Sequence, residues 1–377
     1  MNVWHIVTSE YPPDVGGVSD YTQQVAARLA EGGDEVHVWC PHRADGIASS
    51  SVRVHPELGS VRPADLRRLE CRLQEFAGPR RLLVQWVPHG FGYHSMNVWF
   101  CLWLAKRAWR GDRIELMVHE PYLEFRGPLR HKVMAGVHRL MTMVLLASSR
   151  HVWMSIPAWE ARLRPYALGR RVPMEWLPVP ACVASGEENA ARALRGTYAT
   201  DDQCLIGHLG SYGDAVSTLL DTRVSAILAS DHRAVLLLIG ARSDRFRRSL
   251  VDEHPEWASR VHATSYVSSE ALGNHIAACD LFVQPYPDGI SSRRTSAMAC
   301  LAHGKPVVTT RGHLTEPLWG ASNAVLLVEV SDSGSFIAGA LRLIADRAEC
   351  LRLGECGRQL YEACFSVDRI VSALRAA

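Results

Sequence analysis

Val3-Trp4-His5-Ile6-Val7-Thr8-Ser9-Glu10-Tyr11-Pro12-Pro13-Asp14-Val15-Gly16-Gly17-Val18-Ser19-Asp20-Tyr21 is an apolar run, a turn rich in proline and glycine, and then the start of a periodic pattern. Val3 to Thr8 reads as a strand. Val18, Tyr21, Val25, Ala26 and Leu29 recur at three- and four-residue spacing, which predicts a helix from Val18 to Ala30 that stops at Gly32-Gly33. Glu35 to Cys40 is the next strand, so the chain opens on a βαβ unit. The alternation continues, with strands at Leu82 to Val87, Ile114 to Val118 and His151 to Ser155, and helices around Met96 to Trp109 and Leu129 to Leu146. A first parallel-sheet domain therefore spans 1–178.

Leu177 to Thr200, with Pro178, Pro180, Gly186 and Glu187-Glu188-Asn189, reads as a linker. A second series comes after it. Strands are expected at Cys204 to Leu209, Ala234 to Ile239, Leu281 to Gln284, Pro306 to Thr310 and Ala324 to Val328. Helices are expected around Val216 to Leu228, Ser269 to Ala278 and Thr295 to His303. The second domain is 179–360, and 361–377 forms a terminal helical segment. The fold class is α/β, two Rossmann-like domains facing a central cleft, with ligands at the carboxyl ends of the strands.

Composition agrees with this reading and narrows it. A chain of 377 residues that is 47% hydrophobic and 21% charged is long enough for two folded domains of roughly 150 residues each. Its net charge of +2 gives no general electrostatic case for coating nucleic acid or an anionic membrane, so any anion must be held locally. The 10 cysteines show no C-x-x-C spacing, so they read as reduced thiols of a cytoplasmic protein. The N-terminus lacks the pattern of a signal peptide. Met96 to Leu104 and Val133 to Ala147 fall short of membrane spans and read as buried helices. Trp99, Phe100 and Trp103, with Lys106, Arg107 and Arg110 after them, also suit a peripheral contact with the cytoplasmic face of a membrane.

Three places carry chemistry. Gly16-Gly17 at a helix entrance fits a bare turn, or a backbone brought close to an anion or a sugar hydroxyl. Neither G-x-G-x-x-G nor a P-loop lysine is present, which removes support for NAD and for P-loop ATP binding. His119, after the strand Ile114 to Val118, is placed to exchange a proton or bond a sugar, with Glu120 beside it as an orienting or acceptor-side group. His89, Phe91 and Tyr93 come after another strand and suit packing or an acceptor site. The third place is Pro285-Tyr286-Pro287-Asp288-Gly289-Ile290-Ser291-Ser292-Arg293-Arg294-Thr295-Ser296. Here Ser291 or Ser292 is expected as an N-cap, and two guanidiniums at a helix N-terminus suit phosphate oxygens.

Tyr11-Pro12-Pro13, Gly16-Gly17-Val18-Ser19-Asp20-Tyr21 and Ala302-His303-Gly304-Lys305-Pro306-Val307-Val308 resemble the signatures of GT-B glycosyltransferases of the retaining family 4 group. The resemblance implies that Gly16 and Gly17 lie against the donor's diphosphate and sugar, and that His119 contacts the donor sugar near the reacting carbon. It also implies a last helix, from Phe365 onward, that crosses back to the first domain. The sequence departs from the family at its charged positions. Paired glutamates eight positions apart are replaced by Ser291 and Ala299. The usual Arg of the diphosphate clamp is replaced by Ser211, after Gly210, and the usual Lys is missing from Tyr212 to Leu219.

The expectation is then a hexosyltransferase in which Arg293 and Arg294 supply the displaced charge and, with His119, form the catalytic set. Gly16, Gly17, Gly210, Ser211, Tyr212, Asp288, Gly289, Ser291, Ser292 and Thr295 line the donor. No cofactor is expected beyond a nucleotide-sugar co-substrate, with UDP-hexose the default from the resemblance. The acceptor is a sugar, a lipid-linked or a small molecule. No D-x-D motif occurs, so no metal site is expected. The alternatives are a catalytically degenerate binding or partner subunit and a nucleotide-sugar epimerase.

Overall fold

The computed structural model describes residues 1–14, 16–41 and 51–377, so Val15 of the glycine turn lies outside the described residues. The chain divides into two compact units, Met1–Pro178 with Val367–Ala377, and Val179–Ser366.

In the first unit, chain order runs β1 (Val3–Thr8), α1 (Gly17–Glu31), β2 (Glu35–Trp39), β3 (Val52–His55), α2 (Pro63–Leu73), β4 (Arg81–Trp86), α3 (Val98–Trp109), β5 (Arg113–Val118), α4 (Leu129–Ser148), β6 (His151–Met154), α5 (Ala158–Leu163) and β7 (Met174–Trp176). The strands form one parallel sheet in the order β3-β2-β1-β4-β5-β6-β7. Covered on both faces, β1, β4 and β5 are each buried from their second residue on, as interior parallel strands require. On α1, the inward stripe is Tyr21, Val25, Ala26 and Leu29, and Gly33 at φ 87° takes the left-handed position past its end.

The second unit runs α6 (Glu188–Tyr198), β8 (Cys204–Leu209), α7 (Asp214–Ser230), β9 (Ala234–Ile239), α8 (Ser243–Glu253), β10 (Val261–Ala263), α9 (Ser269–Ala278), β11 (Leu281–Gln284), α10 (Thr295–Ala302), β12 (Val307–Arg311), α11 (Pro317–Ala321), β13 (Leu326–Glu329), α12 (Ser333–Ala345) and α13 (Arg347–Cys364). Its parallel sheet has the order β10-β9-β8-β11-β12-β13. Side-chain caps start several helices: Ser268 accepts from Ala271 N–H on α9, Asp332 from Ser335 N–H on α12 and Asp346 from Glu349 N–H on α13. The last helix, α14 (Val367–Ala376), belongs to the first unit. It buries Ile370, Val371 and Leu374 there, and Arg375 Nε donates to Asp34 Oδ2 at 2.9 Å.

Two expectations need correction. Leu177 to Thr200 is not a plain linker, because α6 lies within it. Only Ala191 of that helix is buried, so its polar composition reflects exposure and not lack of structure. On α3, Phe100 and Trp103 point inward and Arg107 is buried against Asp112, so none of the three reaches the surface. All ten cysteines are free thiols. Among the described residues no helix is long and apolar enough to cross a membrane.

Candidate functional site

Each sheet reverses its strand order once, between β1 and β4 in the first unit and between β8 and β11 in the second. Helices leave opposite faces there, which opens a crevice at the carboxyl ends. In the first unit that edge presents Thr8, opposite Gln85 of β4, and His119, whose N–H continues the ladder to Trp86 O at 3.0 Å. The His119 carbonyl accepts from Ser155 Oγ and Trp159 Nε1, both at 3.1 Å, so the backbone is pinned from two sides. Its ring meets the edge of Tyr21 at 5.0 Å, and Nε2 lies 2.9 Å from Gln85 Oε1. A carbonyl oxygen only accepts, so Nε2 carries the proton and Nδ1 is left as an acceptor. Burial pushes the His119 pKa down to about 4. At neutral pH this imidazole is uncharged, suited to hydrogen bonding and not to delivering a proton.

Three buried polar atoms at the same edge, Ser9 Oγ, Ser19 Oγ and Gln85 Nε2, have no hydrogen-bond partner among the described residues. Such groups are costly unless something completes them, and a hydroxyl-bearing ligand would. Gly16 is extended, and a Cβ there would stand 2.2 Å from Glu10 Oε2, so glycine admits the Glu10 carboxylate. That carboxylate takes the Ser19 N–H of α1, while burial, with Asp14 and Asp20 nearby, raises its pKa. The first-turn amide expected for a ligand is thus held by the chain's own acid. Gly17 has open space around it. Of the acceptor-side residues, Glu120 and His89 are exposed, and Tyr93 is exposed at φ 49°. Phe91 is interior, stacked between Trp86 and Phe100 at 5.5 and 4.3 Å, and offers no surface to a ligand.

In the second unit, the loop after β8 keeps Gly210 and Ser211 outward but turns Tyr212 in. At φ 55° the Tyr212 ring packs on His208 and Phe246, and its hydroxyl donates to His208 O and Ile239 O. The hydroxyl expected to face a donor instead seals the ends of β8 and β9. Burial also pushes the His208 pKa down to about 3. Gly240 is required nearby, since a Cβ on it would stand 2.4 Å from Gly210 O.

The loop after β11 is the most organised part. Gly289 sits at φ 86°, and a Cβ there would meet Gly312 N at 2.3 Å, which locks this loop against the one after β12. Asp288 receives both arginines: Arg293 Nη2 donates to Oδ2 at 2.9 Å, and Arg294 Nη2 donates to Oδ1. The Arg294 guanidinium also lies over the Tyr286 ring, 4.6 Å from its centre. One carboxylate therefore fixes two guanidiniums side by side and offsets one of their charges. Ser291 and Ser292 are fully buried and do not cap α10, where Arg294 holds the cap position without a side-chain bond. Ser292 N and Oγ both donate to Glu316 Oε1, at 2.9 and 2.5 Å, and Trp319 Nε1 donates to Oε2 at 2.7 Å. Thr295 opens α10 half-buried, and Ala299 is interior.

Within each unit, then, the structure gathers His119, Gln85 and Ser9 at one sheet edge, and Asp288, Arg293 and Arg294 at the other. It withdraws Phe91, Tyr212, Ser291 and Ser292 into the interior. No individual role was expected of Gln85, Glu10 or Glu316, although Gln85 opens the strand-end stretch that carries His89, Phe91 and Tyr93. Only Gln85 gave a signal, a polar side chain inside an otherwise apolar strand.

A family model described as glycosyl transferases group 1 matches residues 203–346, from β8 through α12, and so takes in both loops of the second unit. Sucrose-phosphate synthase from Thermosynechococcus elongatus superposes with a TM-score of 0.74 at 19% identity, over 100% of this chain and 98% of its own. HepE from Anabaena, solved with UDP-glucose, gives 0.68 at 13% identity over 99% and 100%. WaaG, a glycosyltransferase involved in lipopolysaccharide biosynthesis, gives 0.66 at 14% over 99% and 98%. No curated protein matches in sequence. Similarity at these identities establishes the fold, the two α/β units of GT-B glycosyltransferases.

Proposed function

We propose that this chain is a glycosyltransferase that moves a hexose from a nucleotide sugar, UDP-hexose by default, to a sugar, lipid-linked or small-molecule acceptor, with retention of anomeric configuration and without metal. The observation that carries the reading is the match to group 1 glycosyl transferases over 203–346, a span that contains the Asp288, Arg293 and Arg294 cluster. HepE, a fold neighbour, was solved with UDP and with UDP-glucose, which supports a uridine nucleotide as the default. The absence of D-x-D from the sequence supports a diphosphate held by cationic side chains and amides instead of a bridging metal.

In this reading the bond from the anomeric carbon to the diphosphate oxygen breaks and its electron pair stays on that oxygen. Arg293 and Arg294, already aligned by Asp288, stabilise the growing negative charge, helped by the Gly210 and Ser211 amides, the Gly289 turn and Thr295. Tyr212, Ser291 and Ser292 support these loops from beneath. The acceptor oxygen attacks from the side the leaving group departs, and its proton passes to the departing diphosphate oxygen. A glycoside and a nucleoside diphosphate result. His119, neutral because of its depressed pKa, bonds the donor sugar near the reacting carbon, and Gln85 sets its tautomer. Gly16 and Gly17 take the donor when Glu10 moves from the α1 amide, and Glu120, His89 and Tyr93 lie on the acceptor side. The setting is cytoplasmic.

The test is incubation of purified protein with a panel of nucleotide sugars and acceptors, tracking nucleoside diphosphate release, product mass and anomeric configuration. Transfer with retention supports the reading. A second reading, a nucleotide-sugar-binding subunit without catalysis, is favoured by the alanine and buried serine at the glutamate positions. Tight nucleotide binding with no diphosphate release above buffer would establish it instead. A change of sugar configuration within the nucleotide would point to an epimerase.

A further inference from the structure

The first unit carries a second feature at the opposite edge of its sheet. Helices α3 and α4 come after neighbouring strands, lie on one face of the sheet and pack against each other. Their outward sides carry large apolar residues beside Lys106, Arg130 and Lys132. On α3 the exposed residues Trp99, Leu102 and Trp109 are spaced three and seven apart, and on α4 Leu129, Val133 and Leu140 are spaced four and seven apart. Each set is therefore a single stripe on its helix. Trp109 is 86% exposed, Leu129 77%, and Leu168, beyond the C-terminal end of α4, 73%. A soluble surface rarely leaves so many large apolar side chains together without a partner.

The charge around these stripes is predominantly basic, with Glu70 pairing with Lys106 and Arg110, and Glu124 with Arg139 and Arg162. Neither helix contains an aspartate or glutamate, while the exposed Lys106, Arg130 and Lys132 and the half-buried Arg139 are all basic. Where the two helices end, a hollow of about 920 Å³ opens at the amino ends of β4, β5 and β6, with Trp109 on its wall. Arg80, Arg81, Arg113, Arg150 and Arg170 line it, and Asp112 is the one carboxylate among its described lining residues. Asp112 and the buried Glu115 offset two of the five charges. Backbone carbonyls hold four of the arginines in place: Arg80 donates to Leu73 O and Phe76 O, Arg81 to Leu374 O, Arg113 to Ala377 O, and Arg170 to Leu146 O and Ala147 O. Those contacts orient the guanidiniums without neutralising them.

We propose that the α3–α4 face docks on an anionic lipid bilayer, its tryptophans and leucines entering the headgroup boundary while the arginine-lined hollow takes the phosphate of a lipid headgroup. Interfacial tryptophan, a one-sided apolar stripe and flanking basic residues are what such a surface requires. A symmetric pair of this chain would set the same predominantly basic face against itself, like charge on like charge, which argues against a second copy as occupant. The hollow lies a strand's length from the His119 edge, so the proposal stands apart from the transfer reading and can fail without it.

The test is co-sedimentation of the full chain with vesicles of phosphatidylcholine mixed with phosphatidylglycerol, and with vesicles of phosphatidylcholine alone. The protein should pellet with the anionic vesicles, remain in the supernatant with the neutral ones, and be released by high salt. The double variant Trp109→Ser/Leu140→Ser, and separately Arg150→Glu, should each lower binding by about tenfold or more. Their melting curves should match wild type, because all three side chains are exposed. Equal binding to neutral vesicles, or binding untouched by both variants, overturns the proposal. So does release by inorganic phosphate at an ionic strength where sodium chloride leaves the protein bound, which would mark a free-phosphate site, or an oligomer that the same variants disperse in the absence of vesicle binding.

Discussion

Glu316 offers the sharpest test of how the arginine loop is held. Its buried carboxylate accepts from Ser292 N, Ser292 Oγ and Trp319 Nε1, tying the loop after β11 to the start of α11. Glu316→Ala removes the acceptor that Ser292 N, Ser292 Oγ and Trp319 Nε1 share. A buried donor so stranded costs about 1–3 kcal/mol, and the relief of no longer burying a carboxylate returns part of that. The expected net loss is about 3 kcal/mol, or about 6–12 °C in the transition of the second unit. Glu316→Gln is milder. Its amide oxygen still serves both Ser292 donors, but its NH₂ faces the Trp319 N–H, so one donor is stranded and the loss is about 1 kcal/mol. Adding Trp319→Phe to Glu316→Gln removes that conflict, and the pair should cost less than the sum of the single changes. Urea unfolding monitored by tryptophan fluorescence measures the losses, and titration with nucleoside diphosphate reports whether Arg293 and Arg294 stay aligned. Were Glu316→Ala to unfold within about 1 kcal/mol of wild type, or Glu316→Gln to cost as much as alanine, the claim that Glu316 anchors this loop would be refuted.

Arg293→Ala and Arg294→Ala should each weaken nucleoside diphosphate binding by about tenfold, measured by calorimetry; unchanged affinity would remove the arginine pair from the donor site. Gln85→Leu should lower kcat by about 10–100-fold while leaving donor KM nearly constant, because the residue positions His119 and does not itself bind donor. A pH profile unaltered by that change would show that Gln85 does not set the imidazole tautomer. Burial holds His119 and His55 down to about 4, and His5 and His208 down to about 3, against an unfolded value near 6.5. Below about pH 6.5 the unfolded chain therefore takes up protons that the folded one refuses, so stability present at neutral pH is lost as pH falls toward those depressed values. The loss is on the order of 1.4 kcal/mol per histidine for each pKa unit of depression, and denaturation midpoints that stayed flat from pH 7 to about 4.5 would contradict it.

The fold was readable wherever a strand is buried on both faces, because an unbroken apolar run as short as Ala234 to Ile239, closed by Gly240, fits an interior strand better than a helix. At the sheet edges only β13 was readable, overlapping the expected strand Ala324 to Val328. The strands β3, β7 and β10 are three or four residues long and partly exposed, too short to show any period. Exposure hid α6 and α8 as well: α8 buries only Ser243 and Leu250, so its charge-rich sequence carries almost no core stripe. In these elements tertiary position, and not local preference, decides the structure.

For the candidate sites, residue type was legible and direction was not. Composition could show that Tyr212, Ser291 and Ser292 are able to bond a ligand. It could not show that a backbone at φ 55° rotates Tyr212 toward His208 O, or that a glutamate 24 positions downstream claims Ser292. The same holds for His119, whose neutral state and tautomer depend on burial and on a glutamine 34 positions earlier in sequence. The arginine pair shows why this matters for chemistry. Two free guanidiniums would repel and wander, and binding a diphosphate would have to order both. With Asp288 between them that ordering is complete before a ligand arrives, at the cost of one unit of positive charge. A site that trades charge for pre-alignment should depend on Asp288 for geometry more than it suffers from its negative charge. Asp288→Asn, which raises the local charge and loosens both arginines, should therefore weaken diphosphate binding; tighter binding in that variant would mean that charge, and not alignment, governs the grip.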